Sequence, residues 1–135
     1  MKFYICSICG NEIEMIKDSN QTPSCCGRTM RQLIPASTDG KLEKHVPCVK
    51  EFCEPNSKDL LVVRVKVGEE SHPMEEGHHI EWIVLETSCG VHRRNLTNAK
   101  CAEAAFVISK SERPIAVYAY CNLHGLWVSE DFTRE

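Results

Sequence analysis

From residue 60 onward, apolar residues recur at every second position. Leu61, Val63, Val65 and Val67 alternate with Leu60, Val62, Arg64 and Lys66, the period of a strand that turns one face to a core. Ile80-Glu81-Trp82-Ile83-Val84-Leu85 is a second run rich in β-branched, aromatic and large apolar residues. Ser88-Cys89-Gly90 marks a turn, after which Val91 to Leu96 returns as a strand. Ala104 to Ile108 and Ile115 to Tyr120 complete the set. No helical period runs beyond about two turns. Short strands separated by turn signals predict an all-β protein whose main body is a small antiparallel sandwich.

The first ~35 residues break this pattern and carry Cys6, Cys9, Cys25 and Cys26. Such a segment falls below the roughly 40 residues that usually bury a self-sufficient core. A bound metal is expected to supply the missing stability. Pro35-Ala36-Ser37-Thr38-Asp39-Gly40 reads as a linker of small, polar and turn-forming residues. Two domains are therefore expected, 1–36 and 37–135.

Composition narrows the class. The net charge of −3 does not suggest a nucleic-acid-binding surface. No run reaches the roughly 18–20 apolar residues of a membrane helix. Met1-Lys2-Phe3-Tyr4-Ile5-Cys6 has no apolar signal-peptide core, so a cytoplasmic location away from membranes is expected. Nine cysteines is an odd count, and in a reducing compartment it points to metal ligands or redox groups before disulfides.

Cys6-Ser7-Ile8-Cys9-Gly10 has the form of a metal knuckle. Cys25-Cys26-Gly27 is the less common half, because adjacent side chains normally point apart and can share one ion only with local strain. A four-thiolate set suits zinc or a single iron. A zinc ribbon that merely folds the N-terminus is one reading. The adjacent pair departs from ordinary ribbons, whose second half is also C-x-x-C.

A second constellation lies between the predicted strands. Its segments are Glu43-Lys44-His45-Val46-Pro47, His72-Pro73-Met74-Glu75-Glu76-Gly77-His78-His79 and Cys121-Asn122-Leu123-His124-Gly125. Neutral imidazole suits zinc, copper, iron or nickel, and a thiolate adds soft, electron-donating character. Five such donors exceed the four of a closed structural zinc site. On an octahedral metal they leave one position open. Pro47, Pro73 and Gly125 fix tight turns that can aim the rings inward. His79 and His92 are read as bystanders.

The N-terminal spacing, Cys-x-x-Cys then Cys-Cys after fifteen residues, resembles desulforedoxin, a small rubredoxin-like iron domain. The three histidine and cysteine segments, with Ile80-Glu81-Trp82, resemble superoxide reductase. Together, from about Phe3 to about Trp127, the chain is similar to the two-iron desulfoferrodoxin form of that family. The resemblance implies a desulforedoxin-like domain followed by an immunoglobulin/fibronectin-III-like sandwich. It implies two irons per chain, one held by Cys6, Cys9, Cys25 and Cys26, where zinc is an alternative. The other is held by His45, His72, His78 and His124 around the metal with Cys121 on the axis. Glu43 matches the family's sixth ligand of the oxidised state, and Lys44 the lysine beside the open site. The implied reaction is one-electron reduction of superoxide to hydrogen peroxide, with rubredoxin or a similar donor and a homodimeric assembly. Two rivals remain at this level: a pure electron carrier, and a binding module with a structural zinc ribbon. Cys48, Cys53, Cys89 and Cys101 have no role in the resemblance. They read as small buried or semi-buried residues, with a Cys48–Cys53 redox pair as the alternative.

Overall fold

The computed structural model describes residues 1–38 and 45–135. Every regular element among them is a strand, and no helix is long and apolar enough to cross a membrane. The chain divides into two compact units, Met1–Ile34 and Pro35–Glu135.

The first unit holds five very short strands: β1 (Phe3–Ile5), β2 (Glu12–Glu14), β3 (Ser24–Cys25), β4 (Arg28–Thr29) and β5 (Arg31–Leu33). They form a three-stranded sheet of order β2-β1-β5 and a β3-β4 ribbon. One buried cluster consists of Tyr4, Cys6 and Met30, with Met15 and Cys25 packed against it. Two of those five side chains belong to the four-cysteine set, so the metal site forms part of this cluster, while Phe3 and Leu33 of the same unit are buried as well.

The second unit contains β6 (Pro47–Cys53), β7 (Leu60–Val67), β8 (Ile80–Thr87), β9 (Gly90–Asn95), β10 (Glu103–Ser109), β11 (Pro114–Cys121), β12 (Gly125–Ser129) and β13 (Phe132–Arg134). Two four-stranded sheets, β10-β7-β6-β13 and β12-β11-β8-β9, face each other. This is the expected sandwich. Val63, Val65 and Val67 from one sheet meet Ile83, Leu85, Val117 and Ala119 from the other, all fully buried. Each such side chain contributes about 1.5–3 kcal/mol. β10 alternates strictly, with Ala104, Phe106 and Ile108 inside.

In this unit three strands escaped the sequence pattern. β6 places Glu51 at a buried position, where a hydrophobic residue would have signalled the strand. The carboxylate is held there by Arg134 Nε at 3.0 Å, from β13, and β13 lies parallel to β6. A buried charge without that partner would be costly. β12 and β13 are simply too short for an alternation to register. The expected linker also begins as structure. Ala36 forms a parallel bridge with Trp127, its N–H donating to Leu126 O at 3.0 Å and its carbonyl accepting from Val128 N at 2.9 Å.

The reading of the spare cysteines changes. Cys48 and Cys53 both lie on β6, opposite Lys66 and Leu61. Five residues of strand separate their Cα atoms by about 16 Å, far beyond the reach of a disulfide. Cys48 is half-buried, whereas Cys53, Cys89 and Cys101 are exposed rather than buried.

Candidate metal centres

In the first unit, Cys6, Cys9, Cys25 and Cys26 bring four sulfurs within 4.8 Å of one another. The C-x-x-C half is a tight turn. Gly10 N donates to Cys6 O at 3.0 Å, and Gly10 itself has φ +78°. That turn aims the Ile8 and Cys9 amides at Cys6 Sγ, at 3.4 and 3.5 Å. The Cys-Cys half solves its geometric problem at the backbone. Cys26 adopts φ +52° and Gly27 φ +73°, a left-handed conformation that non-glycine residues rarely take. It brings Cys26 Sγ to 3.9 Å from Cys25 Sγ, which lies 3.6 Å from Cys9 Sγ. The strain foreseen for adjacent ligands is therefore located at Cys26. Asn11 Nδ2 adds a side-chain donor, 3.6 Å from Cys25 Sγ.

The thiols differ in acidity. The amides of Cys9 and Ile8 stabilise the Cys6 thiolate and pull it down to about 6. Hydrogen bonding to Cys9 holds Cys25 above its ordinary value. Contacts with Cys9, then Cys25 and Cys6, push Cys26 up to about 12. One thiolate forms readily and the last resists, because negative charge accumulates among sulfurs in contact. A cation among them removes that conflict.

In the second unit, the histidine segments come together at one end of the sandwich. His45 precedes β6, His72 and His78 lie between β7 and β8, Cys121 ends β11, and His124 sits in the turn to β12. Val46 O accepts from Gly68 N at 3.2 Å, and His72 N donates to Val67 O at 3.3 Å. These bonds bring the His45 and His72 segments together at the end of β7. The ring centroids follow one another around a circuit: His45–His72 4.7 Å, His72–His78 4.7 Å, His78–His124 5.1 Å and His124–His45 5.0 Å. The His45–His78 diagonal is 6.5 Å. Four near-equal edges and a longer diagonal describe a square of imidazoles. Cys121 Sγ lies 3.8 Å from His124 Nδ1. Donor atoms of His45, His78, Cys121 and His124 all fall within 4.8 Å of one another.

Local bonding decides which nitrogens face inward. His72 Nδ1 is 2.8 Å from Pro73 O. A carbonyl only accepts, so Nδ1 carries the proton and Nε2 keeps the lone pair a metal needs. The Nε2 atoms of His45, His72 and His78 are buried. The thiol enters from the core, with Cys121 wholly buried, while His124 is exposed. Trp127 of β12 stacks on His45, centroids 4.5 Å apart and planes 13° from parallel. The donor set of imidazoles and one thiol fits a borderline or soft first-row transition metal.

Glu43 and Lys44 lie outside the described residues. His79 bonds within its own loop, its Nδ1 donating to Glu75 O at 2.9 Å. His92 lies at the other end of β8 and bonds Glu112 at 2.8 Å. Sequence reasoning missed Trp127 and Asn122. The latter sits inside the Cys121-to-Gly125 motif, and its polar side chain between two candidate ligands was the available signal.

The desulfoferrodoxin family model matches residues 37–130. A desulfoferrodoxin homolog of Archaeoglobus fulgidus is 42% identical over 130 residues, covering 96% of each chain. A superoxide reductase of Pyrococcus horikoshii is 37% identical over 107 residues, covering 70% of this chain and 90% of that protein. Among solved structures, the superoxide reductase from Treponema pallidum superposes with a TM-score of 0.75 at 26% identity, covering 95% of this chain and 96% of that one. The chain belongs to the desulfoferrodoxin family. It carries two metal-binding sites, one of four cysteines and one of four histidines and a cysteine.

Proposed function

We propose that this chain is a superoxide reductase, converting superoxide, one electron and two protons into hydrogen peroxide at the histidine–cysteine site. The observation that carries the reading is the square of four imidazoles with a buried thiol beside it. Relatives named superoxide reductase support it. Iron held by His45, His72, His78, His124 and Cys121 would supply the electron and a Lewis-acidic position for the superoxide anion.

The protein's own groups do the rest. Neutral imidazoles add no negative charge, and one thiolate adds a single one, so a divalent ion leaves a net positive site for an anion. Cys121 is closed to solvent, and its thiolate would donate electron density to a bound metal. Lys44 adds positive potential that steers the anion against the mildly negative whole, and orders the water that delivers protons. Glu43 would serve as a further ligand when the metal is oxidised. Residues 1–36 form an accessory domain whose Cys₄ site holds a second iron, or zinc, and residues 37–135 the catalytic one. A rubredoxin-like carrier supplies the electrons, the chain works as a homodimer, and the setting is cytoplasmic.

Pulse radiolysis of the iron-loaded, reduced protein tests this. Fast oxidation with one peroxide formed per site is expected. A pure electron carrier gives neither. Cys121→Ser should abolish the fast step, and Lys44→Ala should slow it and flatten its dependence on ionic strength. Full turnover in Cys121→Ser would overturn the ligand assignment.

A further inference from the structure

Asn122 lies between the thiol and the exposed imidazole of the cluster, and its side chain reaches across to the other ligand loop. Oδ1 accepts the backbone N–H of His79 at 2.8 Å. Nδ2 donates to the carbonyl of Gly77 at 3.0 Å. The backbone N–H of Asn122 donates to His79 O at 3.1 Å. Gly77 and His79 are the two neighbours of His78. The three bonds therefore bracket His78 on both sides and tie it to the turn that carries Cys121 and His124.

The other bonds in this loop close it on itself. Glu75 and His78 exchange backbone hydrogen bonds at 2.9 and 3.3 Å, and the His79 ring donates to Glu75 O. They shape the loop but do not say where it sits relative to Cys121. The Asn122 backbone bond and the pairing of Cys121 with Ile80 fix the His79 side of the loop, and the carboxamide adds the Gly77 side, because it offers one acceptor and one donor at a fixed separation, matched to one N–H and one C=O. The side chain also carries no charge to compete with the ligands.

We propose that Asn122 is a positioning residue of the metal centre, clamping His78 against Cys121 and His124 so that the donor set is assembled before metal arrives. The inference rests on the metal-centre reading above. Removing such a partner of a ligand loop typically weakens metal binding about 10–100-fold.

Cobalt(II) on the reduced full-length protein is the probe, read by its thiolate charge-transfer band and by competition with a chelator. The Cys₄ site of the same chain serves as the internal control. Asn122→Ala should lose cobalt from the histidine–cysteine site about 10–100-fold more readily, with a shifted band and an unchanged Cys₄ signal. Asn122→Asp keeps the acceptor for His79 N–H and loses the donor for Gly77 O, so it should shift the band and recover part of the retention. Wild-type retention and an unshifted band in Asn122→Ala would overturn the clamp. Should that variant not fold, Asn122→Asp alone decides by whether its band shifts. If the wild-type chain takes up cobalt only at the Cys₄ site, the metal-centre reading itself falls, and the clamp with it.

Discussion

The two candidate metal sites are built in opposite ways. The Cys₄ site draws its ligands from Cys6 to Cys26, a short stretch folded by local turns, and two of its cysteines form part of the unit's small core. The histidine–cysteine site gathers ligands from His45 to His124, and it rests on an apolar sandwich core that takes in Cys121. One site therefore makes its unit, whereas the other is presented by a unit already made. The difference lies in chain length against apolar surface: about 34 residues bury too little to fold unaided, while a hundred can.

Metal removal should separate the two most sharply. Stripping metal from the full chain, or making Cys9→Ser, should abolish amide protection in β1, β2 and β5 while β7, β8 and β11 stay protected in hydrogen exchange. Protection that persists in β1 without metal would break the comparison.

A core truncation should act in the reverse direction. Ile83 is fully buried and pairs with Ala119 on β11, two residues before Cys121. Ile83→Ala should cost the sandwich about 2–5 kcal/mol in urea unfolding, leaving the Cys₄ visible spectrum unchanged. A loss confined to the first unit would contradict the assignment of cores.

The smallest effect lies at the far end of the sandwich. Glu112 accepts from the Thr87 hydroxyl and from His92 Nε2. These donors, Thr87 first, hold its carboxyl below the ordinary 4.5. A depressed carboxyl stabilises the fold fully above its unfolded value and loses that contribution as pH falls through the lower folded one. Glu112→Gln should therefore lower the melting temperature slightly near neutrality and not at all in strong acid. A difference that survives below that window would refute the linkage. The metal site should not respond, since the turn holding Glu112 leads into β11 at the end away from Cys121.

Most of the sandwich was legible because its strands alternate or are continuously apolar. β7, β8, β10 and β11 fall close to where periodicity put them. β6 was not, because Glu51 is buried by virtue of Arg134, a partner 83 residues away. The site divides along the same line. The ligand types could be read because thiols and imidazoles sit in short turn motifs with glycine or proline beside them. The pairing of Cys48 with Cys53 could be imagined from spacing, and only placing both on one strand excluded it.

By itself, then, the sequence determined which residues carry metal-donor atoms and that turns between strands would hold most of them, since donor chemistry and side-chain periodicity are local properties. Tertiary structure alone decided the order of the imidazoles around the square, the Trp127 stack on His45 and the Asn122 bracket on His78. It also set the left-handed turn at Cys26 that lets adjacent thiols converge. Except for that turn, each depends on contacts between residues many tens of positions apart, and no spacing along the chain encodes the distance between them.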